Sequence, residues 1–170
     1  GMQYGVERLL NQLQLAESEN RHAWTAYRLA EAFKFKGDFT NALKLYQRAT
    51  ELAPFISDFR NKYASLLLQL GRAHQAEAEW KKVLQEQKGH KESLNNLAFL
   101  MLKDGRTKEA GAYLESCLAA YPDYLLAWQN QVTWAMQSED SVALKTALEN
   151  VLRLNPQQEQ ARNLYRKFFE

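Results

Sequence analysis

One cysteine in 170 residues, Cys117, has no second cysteine to pair with, which excludes an internal disulfide framework and a thiolate zinc site. Set among apolar residues, it suits the role of a small buried hydrophobe. Histidine is nearly as scarce. His22 and His90 stand at equivalent points of a repeat described below, two periods apart, and so cannot share a metal, while His74 falls in a turn. Neither sign of charge dominates: the net charge is only +2, with acidic and basic residues interspersed. The strong positive field that recruits nucleic acid or an anionic membrane is therefore missing. No apolar run approaches the roughly 20 residues that span a bilayer, and the N-terminus lacks a basic segment followed by an apolar core. A phosphate loop, an HExxH pair and a nucleophile elbow are all absent, and carboxylates such as Glu115 and Glu139 occur singly. The chain reads as non-catalytic, with no cofactor and no metal.

What is present is a period. Gly37, Gly71 and Gly105 are spaced 34 residues apart, as are Ala30, Ala64 and Ala98, and Ala42, Ala76 and Ala110. The unit is legible in residues 23–54, AWTAYRLAEAFKFKGDFTNALKLYQRATELAP. Leu29, Ala30 and Phe33 form one stripe at helical spacing; Ala42, Leu45, Tyr46 and Ala49 form a second, with Gly37 between them. That pattern predicts a helical hairpin. Small alanines let two helices approach to the short end of the usual separation. Gly37 sits where the backbone takes positive φ, Asp38 can cap the second helix, and Pro54 stands where that helix ends. A fixed period of this size predicts an all-α solenoid, in which each antiparallel hairpin buries its apolar side only against its neighbours.

These residues resemble the tetratricopeptide repeat. Leu29, Ala30, Phe33, Gly37, Ala42, Tyr46, Ala49 and Pro54 meet its signature in residues 23–56. Residues 57–90 offer Tyr63, Ala64, Leu67, Gly71, Ala76, Trp80 and Val83, with Lys88 in place of proline, and residues 91–124 offer Leu94, Leu97, Ala98, Met101, Gly105, Ala110, Leu114, Cys117 and Pro122. A fourth copy, 125–158, is degenerate: it keeps Trp128, Leu148, Val151 and Pro156 but carries Gln131, Val132 and Glu139 at the leucine, small-residue and glycine positions. Because glutamate is a poor occupant of a left-handed position, a turn of different geometry is expected there, with Ser138 or Asp140 capping the next helix. The resemblance implies a right-handed superhelical array forming a single domain over 1–170.

The predicted helices lie near 22–36, 39–52, 56–70, 73–86, 91–104, 107–120, 124–137 and 140–154. Flanking helices close both ends. Residues 3–20 are expected to form a separate N-terminal helix, with Val6, Leu9, Leu10 and Leu13 on one face, joined by a loop at 18–21. Residues 159–170 are expected to cap the fourth repeat through Ala161, Leu164 and Phe168, leaving Tyr165 and Phe169 as a docking surface for a second copy or simply exposed. Gly1 ahead of Met2 reads as a remnant of tag removal, so an upstream signal or domain can have been cut away. A soluble, cytoplasmic chain is the expectation.

In the family, the concave wall is lined by the first helix of each repeat. Carried onto this sequence, the resemblance implies a peptide-binding face of Tyr27, Arg28, Asn61, Lys62, Asn95, Asn96, Phe99, Gln129, Asn130 and Thr133. Amides recur in register: Asn61, Asn95 and Gln129 at one position, Asn96 and Asn130 at the next. An amide offers donors and an acceptor, so it can pair with the N–H and C=O of an extended peptide, although amides are also tolerated on any solvated helix face. The asparagines in LNNLA and WQNQV resemble the asparagine ladder of the O-GlcNAc transferase repeat domain over two rungs, with Arg28 and Lys62 at the two preceding sites. The carboxylate clamp of chaperone-tail binders is not matched, because Glu31 and Glu92 at its positions would repel a carboxylate. Trp24, Tyr27 and Phe35 form either an aromatic anchor or a patch covered by Leu9, Leu10 and Leu13 of the N-terminal helix. The implied function is a protein–protein interaction scaffold holding a peptide segment or helix of a partner in its groove. Alternatives are an oligomerising adaptor working through its terminal helices, or the repeat portion of a larger enzyme or cell-envelope assembly factor.

Overall fold

The computed structural model describes residues 2–170, apart from the side chains of residues 2–7, 9 and 13. The described residues form helices and no strand: α1 (Met2–Phe35), α2 (Phe39–Leu52), α3 (Ser57–Gln69), α4 (Ala73–Glu86), α5 (Lys91–Lys103), α6 (Thr107–Ala120), α7 (Leu125–Gln137), α8 (Ser141–Leu154) and α9 (Glu159–Phe169). From α2 onward every boundary falls within two residues of the spacing-based expectation. The chain divides into two compact units, Gly1–Glu86 and Gln87–Glu170.

In the first unit α1 pairs with α2, α2 packs on α3, and α3 pairs with α4. The periodic alanines are what allow this. Ala30, Ala42, Ala49, Ala64 and Ala76 are all fully buried, and Tyr46 fills the space between α1 and α2 with Leu66 of α3 against it. In the second unit α5 pairs with α6, α7 lies against both, α8 pairs with α7, and α9 packs on α8. Its core around α7, α8 and α9 includes Val132, Ala135, Leu144, Ala147, Leu148, Val151 and Ala161. Cys117 is buried, and burial first of all pushes its thiol up to about 11, which leaves it a hydrophobe at neutral pH.

The turn inside each hairpin is a Schellman motif. At Gly37 (φ +79°) the glycine N–H donates to the Lys34 carbonyl and the next N–H, of Asp38, donates to the Phe33 carbonyl; Gly71 and Gly105 repeat this at φ +78° and +70°. The expectation of a different geometry in the fourth hairpin is overturned. Glu139 adopts φ +54°, its N–H donates to Met136, and the Asp140 N–H donates to Ala135. The orphan carbonyls at the end of α7 need the same two donors, and that demand outweighs the strain of a side chain in the left-handed region. Asp140, not Ser138, caps α8, its carboxylate accepting from the Ala143 N–H at 2.9 Å.

Three further expectations need correction. The loop at 18–21 is helical, because α1 runs unbroken from Met2 to Phe35. Nothing in ESENRH breaks a helix, and no proline or glycine stands there. The facing of Val6, Leu9 and Leu13 lies outside the described residues, while Leu10 is 53% exposed. Leu29, expected in the first stripe, is 47% exposed, while Ala30 and Phe33 of the same stripe pack against α2. In α9 Ala161 is buried and Leu164 packs on the α7/α8 core as expected, but Tyr165 and Phe169 pack there too, while Phe168 is half exposed. Tyr165 and Phe169, expected to be exposed or to dock a second copy, are partly buried by this packing.

Candidate functional site

Each unit presents its first helices as the face on which the predicted residues lie. In the first unit, the Tyr27 ring stacks on Phe59 at 4.8 Å, and Trp24 meets Phe59 edge-on at the same distance. Phe59 is fully buried, so α3 holds Trp24 and Tyr27 in place. Leu10 does not cover them, since in a continuous helix it lies about 20 Å along the axis from Trp24, while the side chains of Leu9 and Leu13 lie outside the described residues. Phe35 does not join the cluster. It stands at the far end of α1, 95% exposed.

Tyr46 donates a short hydrogen bond to Glu31, which occupies an inner position of α1. Burial and then that carboxylate push the Tyr46 phenol upward, so it remains a donor across the physiological range. Arg28 is exposed and Lys62 half-buried. Asn61, by contrast, is buried: its Oδ1 accepts from the Trp80 indole N–H at 2.8 Å, tying α3 to α4.

In the second unit the amides fasten one first helix to the next. Asn95 is buried, and its Oδ1 accepts from Asn130 Nδ2 at 2.8 Å across α5 and α7. Farther along the same pair, Gln137 Nε2 donates to the Leu102 carbonyl at 3.2 Å. Gln129 Nε2 donates to Gln158 Oε1 at 3.1 Å, linking α7 to the start of α9. Around these bonds Asn96 is half-buried, Thr133 exposed and Phe99 43% exposed, with the Lys103 ammonium 5.9 Å from the Phe99 ring. The structure therefore brings Asn95, Asn96, Phe99, Gln129, Asn130 and Thr133 onto one α5/α7 face.

Two of the clefts in this unit flank α7. The larger, about 620 Å³, lies between α6 and the α7/α8 hairpin, walled by Trp128 and Trp134. Gly111 admits Trp134 there, since a Cβ at Gly111 would stand 2.7 Å from the indole nitrogen. The other, about 380 Å³, lies between α7 and α9 beside the predicted face, with Gln129, Asn130 and Thr133 on one side and Gln158, Gln160 and Leu164 on the other. The α9 residues were missed by sequence reasoning. The signal is in the sequence: Gln160 stands 34 residues after Leu126, at a wall position of the repeat, one period beyond the degenerate copy that ends at 158. Among the described residues, no helix is long and apolar enough to cross a membrane.

No curated protein matches the chain in sequence. Among solved structures, it is similar to pilF of Pseudomonas aeruginosa (TM-score 0.77, 20% identity, 88% of this chain and 70% of that one). It is also similar to MamA residues 41–end from Desulfovibrio magneticus RS-1 (0.73, 18%, 82% and 79%) and to YrrB, described as a TPR protein with an unusual peptide-binding site (0.69, 16%, 97% and 87%). At these identities the likeness is one of fold. Residues 25–55 and 67–132 match family models described as Tetratricopeptide repeat, together more than half of the sequence, and the chain belongs to the tetratricopeptide repeat family.

Proposed function

We propose that this protein is a non-catalytic scaffold that binds a peptide segment of a partner protein on the α5/α7 face of its second unit. The single observation that carries this reading is the exposed ring of Phe99, set among the amides and hydroxyl of Asn96, Asn130 and Thr133 on helices whose opposite sides are locked into the core. An apolar anchor ringed by groups that can donate and accept is the composition of a peptide-binding surface. Asn130 spends its donor on Asn95, which leaves the Oδ1 acceptor for a peptide N–H. Tyr27, Arg28 and Lys62 offer the first unit's own contact surface. Asn61 and Asn95, being buried, act by positioning their helices.

The test is selection of a random dodecapeptide display library on the full chain, followed by comparison of the selected peptides on the Phe99→Ala/Asn96→Ala variant. Loss of an aromatic anchor and an adjacent hydrogen bond is expected to weaken binding at least tenfold, about 1.4 kcal/mol or more, with the circular dichroism melt little changed. A selection that yields no binder, or peptides that bind the variant as tightly as the parent, would overturn the proposal.

A further inference from the structure

The cleft between α7 and α9 narrows the chemistry of that partner. Its floor is apolar, formed by Val132, Leu148, Val151 and Ala161, and its rim is amide and hydroxyl. None of the residues lining it is charged. At about 380 Å³ it sits at the small end of ligand pockets, room for a side chain and the backbone beside it.

The rim amides divide their capacity in a useful way. Gln129 donates to Gln158, so Gln129 retains its Oε1 acceptor and Gln158 its NH₂ donor. One acceptor and one donor, side by side over an apolar floor, match the alternating N–H and C=O of an extended backbone. A helical ligand would make no use of them, because its backbone groups are already paired. A charged side chain is rejected for a different reason: burial in a lining without a counter-charge costs more than the contact returns.

Resting on the reading of the α5/α7 face as a peptide surface, we infer that the α7/α9 cleft is a specificity pocket that takes a single uncharged, apolar side chain from an extended segment of the partner. Gln129 and Gln158 grip the backbone on either side of that residue. Recognition at this point is thus insensitive to salt.

The experiment follows the side-chain amides of the ¹⁵N-labelled full chain by NMR while end-blocked Gly-Ser-Leu-Ser-Gly is added. The peptide is taken to about 10 mM, above the roughly millimolar dissociation constant expected for so small a ligand. The expected result is saturable shifts of the Gln129 and Gln158 side-chain amides, unaltered by added salt. Peptides with Asp or Lys in place of Leu are expected to bind at least tenfold more weakly. Gln160→Trp, on the exposed rim of α9 and away from α5, is expected to abolish the shifts by filling the cleft. Perturbation confined to Phe99 and Asn96 would overturn the pocket while leaving the α5/α7 reading intact. Equal binding of the charged peptides, or no shift at all, would also overturn it. So would shifts that depend on protein concentration before any peptide is added, which would make a second copy the occupant.

Discussion

Hairpins α3/α4 and α7/α8 stand 68 residues apart in the same repeat register, yet they stabilise their interiors by opposite means. In α3/α4 the buried position on the second helix is Trp80, whose indole N–H requires an acceptor and finds Asn61. Beside it, Arg60 pairs with Glu79 at 2.6 Å, both side chains largely buried. In α7/α8 the corresponding four residues are Leu148, Gln129, Trp128 and Ala147. Leu148 is fully buried and asks for no hydrogen bond, so Gln129 is released to reach Gln158 on α9. The same amide position is thus structural in one hairpin and part of a cleft rim in the other. What decides is whether the partner helix carries a buried donor that must be satisfied.

Importing the α8 residue into α4 should produce the largest effect. Trp80→Leu removes a fully buried ring and the donor to Asn61, and is expected to cost about 2–4 kcal/mol in urea unfolding. Trp80→Phe retains most of the volume and drops only the N–H, with an expected cost of about 1–2 kcal/mol. If Trp80→Phe matches the parent within a few tenths of a kcal/mol, the hydrogen bond contributes nothing and the contrast between the hairpins is one of shape alone.

The Arg60–Glu79 pair gives a pH test of intermediate size. Burial works to raise the Glu79 carboxyl, but hydrogen bonds from Lys82 and Arg60 outweigh it and hold the group below the ordinary carboxylate range. With the folded value depressed, the contribution to stability is complete above the unfolded value of about 4.3 and is lost as pH falls through the folded one. Glu79→Gln should therefore cost about 1–2 kcal/mol at neutral pH, less than a fully buried pair. Its disadvantage relative to the parent should shrink on acidification below about pH 4. A deficit that stays constant down to pH 2.5 would show that packing, not charge, is at stake.

Much of this was legible beforehand, and for an identifiable reason. Alanines and glycines at a strict 34-residue interval report directly on helix approach and on left-handed turns, so hairpin boundaries could be read from Gly37, Gly71 and Gly105 without any tertiary knowledge. The candidate face was harder. That Asn61 and Asn95 lie in one register was readable, but whether each amide faces a ligand or a neighbouring indole depends on residues of another helix, Trp80 and Asn130, that periodicity does not couple to it. The continuity of α1 through residues 18–21 was missed because a turn was inferred from the repeat register rather than from any residue that breaks a helix. On α9, Ala161 and Leu164 pack as their spacing implies, but that spacing does not show that Tyr165 and Phe169 pack instead of Phe168, since 161, 164 and 168 and 161, 165 and 169 are equally good helical spacings. Only the neighbours on α8 choose between them.

The smallest expected effect tests the other half of the comparison, the turn. Gly71 and Glu139 occupy the same left-handed position at φ +78° and +54°, with the same pair of hydrogen bonds closing the helix. For an L side chain that conformation costs about 1–2 kcal/mol, part of which glycine returns through its greater freedom in the unfolded chain. Glu139→Gly is accordingly expected to stabilise the protein by about 0.5–1 kcal/mol, and Gly71→Glu to destabilise it by about 1 kcal/mol or slightly more. Thermal melts of the two single variants and the double exchange provide the measurement. Because the turns lie in different hairpins, 68 residues apart in the sequence, the two changes should add. If Glu139→Gly is neutral or harmful, the strain at Glu139 is not real. The degenerate repeat would then hold its turn by some means other than tolerating a poor residue in a position built for glycine.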